Sequence, residues 1–265
     1  MNAGHEDLGS WECQSARWNR YTVGTGTLEP VGGALRLVNT DTTRQRISNA
    51  QIDDYQGLPR HRYRWRPPLV MTVRARFSHP AGQLSGTAGF GFWNDPFMMT
   101  GRMWPALPRA LWFFYASAPS DMKLDLHVPG RGWKAGAIDA TRPAALLWAP
   151  AAPFLVPLMN VRPLYRALWP RIQRGLGIRE AALDVEMTAW HTYTLAWDTH
   201  AVRFVVDGDA VLSCDVSPRG GMGFVMWLDN QYMVVTPWGR FRYGRLDAPG
   251  RQWMEVDTLS IERRG

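Results

Sequence analysis

The stretch of sequence that decides the fold is Trp190-His-Thr-Tyr-Thr-Leu-Ala-Trp197, followed by Ala201-Val-Arg-Phe-Val-Val-Asp-Gly208. Polar and apolar residues alternate along both segments, which is typical of half-buried β-strands. Asp207 and Gly208 tolerate the positive backbone φ angles of a tight turn, and the chain then returns through Ala210–Ser213. The stretch therefore predicts a strand followed by a β-hairpin.

Similar short segments recur along most of the chain, separated by Gly, Pro, Asp and Asn. This spacing is typical of an antiparallel sandwich or barrel, so we expect a single all-β domain over residues 1–265. The predicted strands are Ala34–Val38, Val70–Phe77, Thr87–Trp93, Leu111–Ser117, Met122–Val128, Thr192–Trp197, Val202–Val206, Gly223–Leu228 and Gln252–Glu262.

Composition places the chain among folded globular proteins. Hydrophobic residues make up 46% of the 265 residues and charged residues only 20%, which excludes a disordered chain. The first nine residues include His5, Glu6 and Asp7 and no apolar run, so we expect no secretory signal and a cytoplasmic protein. The formal net charge is +7. Because the basic residues are unevenly distributed, their positions along the chain decide which partners this charge implies.

Arginines and aromatic residues are interleaved between positions 60 and 66. Such a pattern could bind the phosphates of a nucleic acid and stack on its bases. However, the four arginines at even positions share one parity, as they would on the solvent face of a strand, and no nucleic-acid-binding motif accompanies them. We therefore expect a solvated strand face and no nucleic-acid partner.

One stretch departs from the β pattern and predicts a proline-rich helical insertion within residues 141–187. Residues 142–179 contain six arginines and neither an acidic residue nor a lysine. Prolines interrupt the uncharged run 143–161, which argues against a membrane span. The following segment has one apolar face at helical spacing, with Arg166, Arg171 and Arg174 on the opposite side. The candidate lid residues on the apolar face are Leu164, Leu168, Trp169 and Ile172.

This amphipathic helix has two interpretations. It either packs its apolar face on the domain as an ordinary insertion, or it acts as a lid or as a peripheral membrane contact over residues 142–179. A second apolar loop, residues 97–107, favours the lid, because two such loops could wall a hydrophobic cleft on the sandwich. The sequence leaves both interpretations open.

Several segments together resemble one known architecture. The quoted stretch is similar to a W-H-x-Y-x-x-x-W strand and an x-x-x-F-x-V-D-G hairpin of concanavalin A-like jelly rolls, which are prominent in glycoside hydrolase family 16. Gly86–Trp93 resembles the family's G-x-x-x-A-F-W strand, Gly221–Leu228 resembles a later strand of its concave face, and residues 253–261 resemble its terminal strand. The resemblance implies a two-sheet antiparallel jelly-roll sandwich, and it says less about activity.

The family's catalytic motif gives a more specific test. Its members carry E-x-D-x-E, or a bulged form of it, on one strand, where two glutamates act as nucleophile and acid/base in retaining hydrolysis. By its place after the Trp93 strand, the matching segment is 121–130, where Lys123, Asp125 and His127 hold the three positions. Because an ammonium cannot form a glycosyl ester, the resemblance predicts no double displacement at this site.

The same three residues could support another chemistry. On a strand, Lys123, Asp125 and His127 would project side by side, with neighbours about 7 Å apart. Asp125 would then stay ionised between two basic groups and could orient His127 for acid/base catalysis. The other interpretation is a salt-bridged structural trio without catalytic function.

Aromatic and polar residues at two predicted strand ends could bind a ligand. Indoles beside amides and carboxylates suit the stacking and hydroxyl recognition of a sugar, although the same residues are also typical of turns that close strands. No calcium-loop motif is present, so we predict neither a metal nor a cofactor. The predicted ligand-binding residues are Trp93, Asn94, Asp95, Trp112, Tyr115, Trp227, Asp229, Asn230 and Tyr232.

Two classes of function follow. In the first, the groove binds an apolar or amphipathic small molecule or a lipid-like ligand and, if the protein is an enzyme, transforms it by acid/base chemistry. In the second, the protein is a carbohydrate-binding module or a divergent glycoside hydrolase that acts on a glycan. The arginine-faced insertion favours the first class, and the family resemblance favours the second.

Overall fold

The computed structural model of the protein describes residues 18–96, 104, 106–236 and 238–264, apart from the side chains at 146–149, 152, 153 and 156. Its strands in chain order are β1 Asn19–Val23, β2 Thr27–Val31, β3 Ala34–Thr42, β4 Asn49–Asp53, β5 Leu69–Phe77, β6 Thr87–Trp93, β7 Arg109–Ala116, β8 Gly132–Asp139, β9 Ile178–Ala182, β10 His191–Trp197, β11 Val202–Val206, β12 Asp209–Cys214, β13 Gly223–Asp229, β14 Gln231–Val235, β15 Phe241–Arg245 and β16 Ala248–Arg263.

These strands form two antiparallel sheets of seven strands each and one separate hairpin. The front sheet has the order β1-β4-β13-β6-β7-β8-β9, and the back sheet has the order β12-β11-β10-β5-β16-β3-β2. The hairpin consists of β14 and β15. The architecture confirms the predicted two-sheet jelly-roll sandwich.

Residues 190–213, which predicted a strand and a hairpin, form β10, β11 and β12. β10 pairs with β5 on one side and with β11 on the other. The turn after β11 places Asp207 at φ 50° and Gly208 at φ 94°, the left-handed region that the sequence required. Tyr193, Leu195 and Trp197 all point inward and are fully buried.

Two of the sequence-based expectations for strands are wrong. Residues 122–128 form a loop, because the Asp125 carboxylate accepts the backbone N–H of His127 at 2.8 Å and thereby turns the chain. Residues 60–62 form a 3₁₀ turn in place of a strand, and the Arg60 guanidinium donates to the backbone carbonyls of Asn94 and Asp95. The alternation of Arg60–Arg66 therefore does not mark a solvated strand face.

Aromatic rings from both sheets interdigitate in the core. The ring centroid of Phe113 on β7 lies 5.1 Å from that of Tyr193 on β10 and 5.2 Å from that of Phe204 on β11. Phe90 on β6 contacts the same tyrosine at 5.3 Å. These edge-to-face contacts join the front sheet to β10 and β11 of the back sheet.

The two sheets differ on their outer faces. On β5 of the back sheet, buried residues alternate with more exposed ones, and Arg74 and Arg76 stack on the Trp190 indole at 4.7 Å each. On β8 of the front sheet, every residue from Trp133 to Asp139 is buried. The front sheet is therefore covered on both faces in this region.

Glycines make room for indoles on the outer face of the front sheet. A Cβ atom at Gly91 would lie 2.9 Å from the Trp112 Cβ and 2.3 Å from the Leu111 carbonyl oxygen, and Gly91 also has a φ of 149°. A Cβ atom at Gly136, on the other side of Trp112, would lie 3.2 Å from the indole Nε1. Trp112 is therefore flanked by glycines on both neighbouring strands, and its indole lies next to Gly136.

Three helices connect β8 to β9: α1 Pro143–Trp148, α2 Ala152–Leu158 and α3 Arg162–Gly175. α3 packs Tyr165, Trp169 and Ile172 in one buried cluster with Ala110 and Ile138 on the outer face of the front sheet. The helices end at 175, so the predicted range 141–187 extends past them and includes β9. No helix among the described residues combines the length and the apolarity that crossing a membrane requires.

We expect Gly91→Ala to destabilise the fold more than Gly136→Ala. At Gly91 the new Cβ would meet backbone atoms and the residue would keep an unfavourable φ, a cost of about 1–3 kcal/mol, whereas at Gly136 only the indole must shift. Urea unfolding monitored by tryptophan fluorescence measures both free energies of unfolding. Equal stabilities of the two variants would contradict this account of the outer face.

Candidate functional site

An aromatic trough lies on the outer face of the front sheet, with a cavity volume of about 370 Å³. Its floor consists of Trp93, Trp112, Phe114 and Trp227. The Trp112 ring centroid lies 6.2 Å from those of both Trp93 and Trp227, and 5.4 Å from that of Phe114. The trough therefore presents a continuous row of aromatic rings.

Hydrogen bonds fix the orientation of two of these indoles. The Trp93 Nε1 donates to the Tyr55 hydroxyl at 2.6 Å, and burial raises the pKa of that tyrosine well above its usual value. The Trp227 Nε1 donates to the Thr87 Oγ1 at 2.9 Å. The rings are thus held in place by the protein before any ligand binds.

Asp229 anchors one end of the trough floor. Its carboxylate accepts hydrogen bonds from the backbone N–H and hydroxyl of Thr87 at 3.2 and 2.8 Å, and from the backbone and side-chain amides of Gln231 at 2.9 and 2.8 Å. Burial raises the pKa of Asp229, while these donors oppose that shift. Because its oxygens are occupied by the protein, Asp229 positions Thr87 and Gln231 beside the trough.

Amides and phenols form the polar rim of the trough. On β4, the Gln51 Nε2 donates to the Asp53 Oδ2 at 2.8 Å, and Asn49 faces the same side two residues away. On the opposite side, the Tyr243 hydroxyl donates to the Gln231 Oε1. The other residues of the rim and walls are Tyr21, Ile47, Gln56, Met122, Val225, Tyr232 and Met233.

The structure brings together five of the predicted ligand-binding residues, and these line the trough: Trp93, Trp112, Trp227, Asp229 and Tyr232.

The other four predicted ligand-binding residues are buried elsewhere. The Tyr115 hydroxyl donates to the Leu84 carbonyl in the core, and Asn230 donates to three backbone carbonyls. Asn94 bonds to Leu107 and Arg109, and Asp95 is fully buried. These four residues stabilise loops, and the trough does not include them.

Sequence reasoning missed the polar rim. Asn49 and Gln51 lie on β4, where the alternation of Asn-Ala-Gln-Ile-Asp over Asn49–Asp53 is a usable signal for a strand with a polar outer face. Gln231 and Tyr243 belong to the β14–β15 hairpin, and only the fold places that hairpin beside β13 and β4.

The predicted catalytic residues do not form the expected side-by-side row. Lys123 Nζ donates to the Val128 carbonyl at 3.1 Å, within the loop, and His127 is exposed. The Asp125 carboxylate binds the Gln173 side-chain amide and the His127 backbone, so it does not orient the His127 imidazole. The geometry that motivated acid/base chemistry is absent from the described loop.

The strand that follows and pairs with the Trp93 strand is β7. Its outward-facing residues are Ala110, Trp112 and Phe114, because Leu111, Phe113 and Tyr115 point into the core. Residues 122–128, the segment matched to the family motif, are therefore not the strand paired with β6, and the outward-facing residues of β7 are two aromatic rings and an alanine. Among the described residues, no group of three or more His, Cys, Asp or Glu is arranged to hold a metal ion.

The lid residues lie against the domain. Trp169 and Ile172 are buried in the cluster between α3 and the front sheet, Leu168 packs at its edge, and Leu164 is exposed. The Trp169 Nε1 donates to the Leu124 carbonyl at 3.0 Å and so ties α3 to the loop after β7. Most of the second apolar loop, residues 97–107, lies outside the described residues. These contacts favour the ordinary packed insertion.

A buried ion pair between β8 and β9 lies next to the loop after β7. Lys134 on β8 and Glu180 on β9 approach to 2.8 Å, and both side chains are almost fully buried. Lys134 Nζ also donates to the Met122 carbonyl at 3.3 Å, at the edge of the trough. Burial raises the pKa of Glu180, and the Lys134 ammonium opposes that shift.

Comparison with solved structures identifies the fold as the concanavalin A-like jelly roll. The chain is similar to the laminarinase from Flavobacterium sp. UMI-01, with 12% identity over 100% of both chains and a TM-score of 0.54. A glycoside hydrolase family 16 endo-glucanase from Bacteroides ovatus matches at 11% identity over 97% of this chain and 99% of that one, with a TM-score of 0.54. The exoplasmic/lumenal domain of VIP36, in a Ca²⁺/Man3GlcNAc-bound form, matches at 9% identity over 96% and 86% of the two chains, with a TM-score of 0.50.

No protein-family profile matches the chain, and no curated protein matches it. At identities of 9–12% the structural similarity shows the fold alone.

We expect Glu180→Leu to destabilise the protein by about 3–5 kcal/mol, because it leaves the buried Lys134 ammonium unpaired. The double variant Lys134→Met with Glu180→Leu should recover most of that loss, since it removes both buried charges. Chemical denaturation of the two variants and the wild type measures the effect. A double variant that is no more stable than the single one would show that the charges themselves are not the cause.

Proposed function

We propose that this protein binds a glycan along the aromatic trough. The observation that carries the proposal is the row of three indoles, Trp93, Trp112 and Trp227. Hydrogen bonds fix the first and the last, and glycines of the front sheet lie next to the second and third. Flat, preorganised rings suit the apolar faces of sugar units, and they need little reordering on binding.

The rim supplies the polar half of such a site. Gln51, Gln56 and Gln231 line the trough and carry amides, which both donate and accept hydrogen bonds as sugar hydroxyls do. An apolar or amphipathic small molecule, the other predicted ligand, would use the same rings but would offer the rim amides no hydrogen bonds beyond those that they already form within the protein. The mixed lining therefore supports a sugar over a purely apolar ligand.

The structural comparisons support the same class of ligand and suggest a first probe. Two similar structures are named as a laminarinase and an endo-glucanase, and a third contains a bound Man3GlcNAc. A β-glucan oligosaccharide is therefore the natural starting ligand.

The proposal is binding without family-type hydrolysis. Retaining hydrolysis needs two carboxyl groups about 5–5.5 Å apart across the scissile bond. Asp229 is the one carboxylate among the described residues that line the trough, and its oxygens are held by Thr87 and Gln231. Acid/base chemistry at Lys123, Asp125 and His127 and a cytoplasmic location stay predictions.

We expect Trp227→Ala to weaken binding of a laminari-oligosaccharide at least about tenfold, because it removes a central ring of the trough. Trp190→Ala is the matched control, since that indole lies on the outer face of the back sheet between Arg74 and Arg76. Isothermal titration calorimetry on the wild type and both variants measures the affinities.

Two outcomes would contradict the proposal. One is binding that Trp227→Ala leaves unchanged or that Trp190→Ala weakens equally. The other is release of reducing ends from the oligosaccharide by the purified protein, which would replace binding with hydrolysis.

A specific observation favours a second candidate, peripheral membrane contact through residues 142–179. Phe154 is 75% exposed, Leu158 42% and Val161 48%, and the stretch has arginines but no acidic residue. Exposed apolar side chains among cations suit the surface of an anionic bilayer.

In a flotation assay with anionic vesicles, the wild type should float, and Phe154→Ser with Leu158→Ser should leave the protein in the soluble fraction. The control is Phe241→Ser, which removes a ring that is 70% exposed on the separate β14–β15 hairpin. Wild-type protein that stays in solution with anionic vesicles would exclude this second function.

A further inference from the structure

A second cavity, of about 810 Å³, lies beside the trough and is lined by basic residues. We call it the basic cavity. Its basic residues come from the loop after β7, from α3 and from the tip of the β14–β15 hairpin. The cations are Lys123, Arg162, Arg166 and Arg240, and His127 lies beside them. The remaining lining residues are Leu126, Met159, Asn160, Tyr165 and Trp238.

The cations of this cavity have no salt-bridge partner among the residues that the structure describes. Across the described ranges, none of the side chains of Lys123, Arg162, Arg166 and Arg240 forms a salt bridge, and no carboxylate lines the cavity. Asp125, a nearby carboxylate, is held by Gln173 and by the His127 backbone. Asp121 is also close to Tyr165, but neither carboxylate lines the cavity or forms a salt bridge with its cations, so the clustered cations favour an anionic ligand.

The cavity also has an aromatic wall. The ring centroids of Tyr165 and Trp238 lie 5.0 Å apart in an edge-to-face arrangement. Burial, together with the nearby Asp121 and Asp125 carboxylates, raises the pKa of Tyr165 to about 12. Rings beside cations suit a charged sugar unit better than a free inorganic ion, which has no face to stack.

The two cavities adjoin, because residues that are neighbours in the sequence line one and the other. Met122 lines the trough and the next residue, Lys123, lines the basic cavity. On the facing hairpin, Met233 lines the trough whereas Arg240 lines the basic cavity. The Asp121 backbone N–H donates to the Met233 carbonyl at 3.1 Å and holds this dividing wall together.

We infer that the glycan of the trough is an acidic one, and that the basic cavity binds a sulfate or carboxylate group on its neighbouring sugar unit. This inference rests on the proposed function of the trough. Each cavity then recognises a different part of the ligand. The rings of the trough contact the apolar faces of sugar units, and the cations of the basic cavity bind the acidic group.

The test compares a neutral laminari-oligosaccharide with the same oligosaccharide after chemical sulfation, by isothermal titration calorimetry. The sulfated form should bind at least about tenfold more tightly to the wild type, and this preference should fall as salt is raised. The double variant Arg162→Gln with Arg166→Gln should lose the preference while its affinity for the neutral form stays unchanged.

A matched control lies on the same helix. Arg171→Gln with Arg174→Gln removes the same charge, but those side chains donate to the Ala167 and Pro170 carbonyls of α3 and do not line the cavity. This control should keep the preference for the sulfated form. Competition by inorganic sulfate on wild-type protein gives a second measurement that needs no variant.

The outcomes separate the two proposals. Equal binding of neutral and sulfated forms, with Trp227→Ala weakening both, would overturn the acidic-glycan inference and leave the trough proposal standing. If the sulfated form binds through Arg162 and Arg166 and Trp227→Ala leaves its affinity unchanged, the trough proposal is overturned. No binding of either form would overturn both.

Two further probes test the class of anion. A single-stranded oligonucleotide or an anionic phosphatidylserine vesicle that binds through Arg162 and Arg166 in preference to the sulfated glycan would replace the glycan with that partner.

Discussion

The structure depends on one constraint, which is that the central strands β6, β7 and β8 of the front sheet are covered on both faces. Inside, Phe90 and Phe113 interdigitate with Tyr193 and Phe204 of the back sheet. Outside, indoles and helix α3 cover the same strands. A sheet with two covered faces cannot show the alternation of polar and apolar residues, so β6 and β8 are buried almost throughout.

The trough is a direct consequence of this double burial. Large rings can lie flat on a sheet only where the neighbouring positions are small, and Gly89, Gly91 and Gly136 provide that space beside Trp112 and Trp227. On β7 the outward-facing residues are Ala110, Trp112 and Phe114, so this strand contributes two rings to the trough and no carboxylate.

The insertion divides the outer face into two environments. α3 packs on the outer face of the front sheet near Ala110 of β7 and Ile138 of β8. The loop after β7 and the β14–β15 hairpin form the wall between the trough and the basic cavity. The arginines that looked uniform along the sequence have different surroundings in the fold. Arg162 and Arg166 line a cavity, Arg171 and Arg174 bond to their own helix, and Arg142 and Arg179 approach Asp215.

The sequence by itself determined the sandwich and the central strands of both sheets, which are β5, β10, β11 and β16 in the back sheet and β6, β7 and β13 in the front sheet. In the back sheet, one covered face imposes the period-two alternation that Tyr193, Leu195 and Trp197 show. The sequence also indicated the indoles of the trough. It placed the candidate catalytic row wrongly, because the alternation in residues 122–128 is equally compatible with a loop that Asp125 turns by binding the His127 backbone. Only the tertiary structure decided which polar residues form the trough rim and the basic cavity. Asn49 and Gln231 of the trough are far apart along the chain, and so are Lys123 and Arg240 of the basic cavity. Strand order and the position of the β14–β15 hairpin bring each pair together, and no local sequence pattern encodes either.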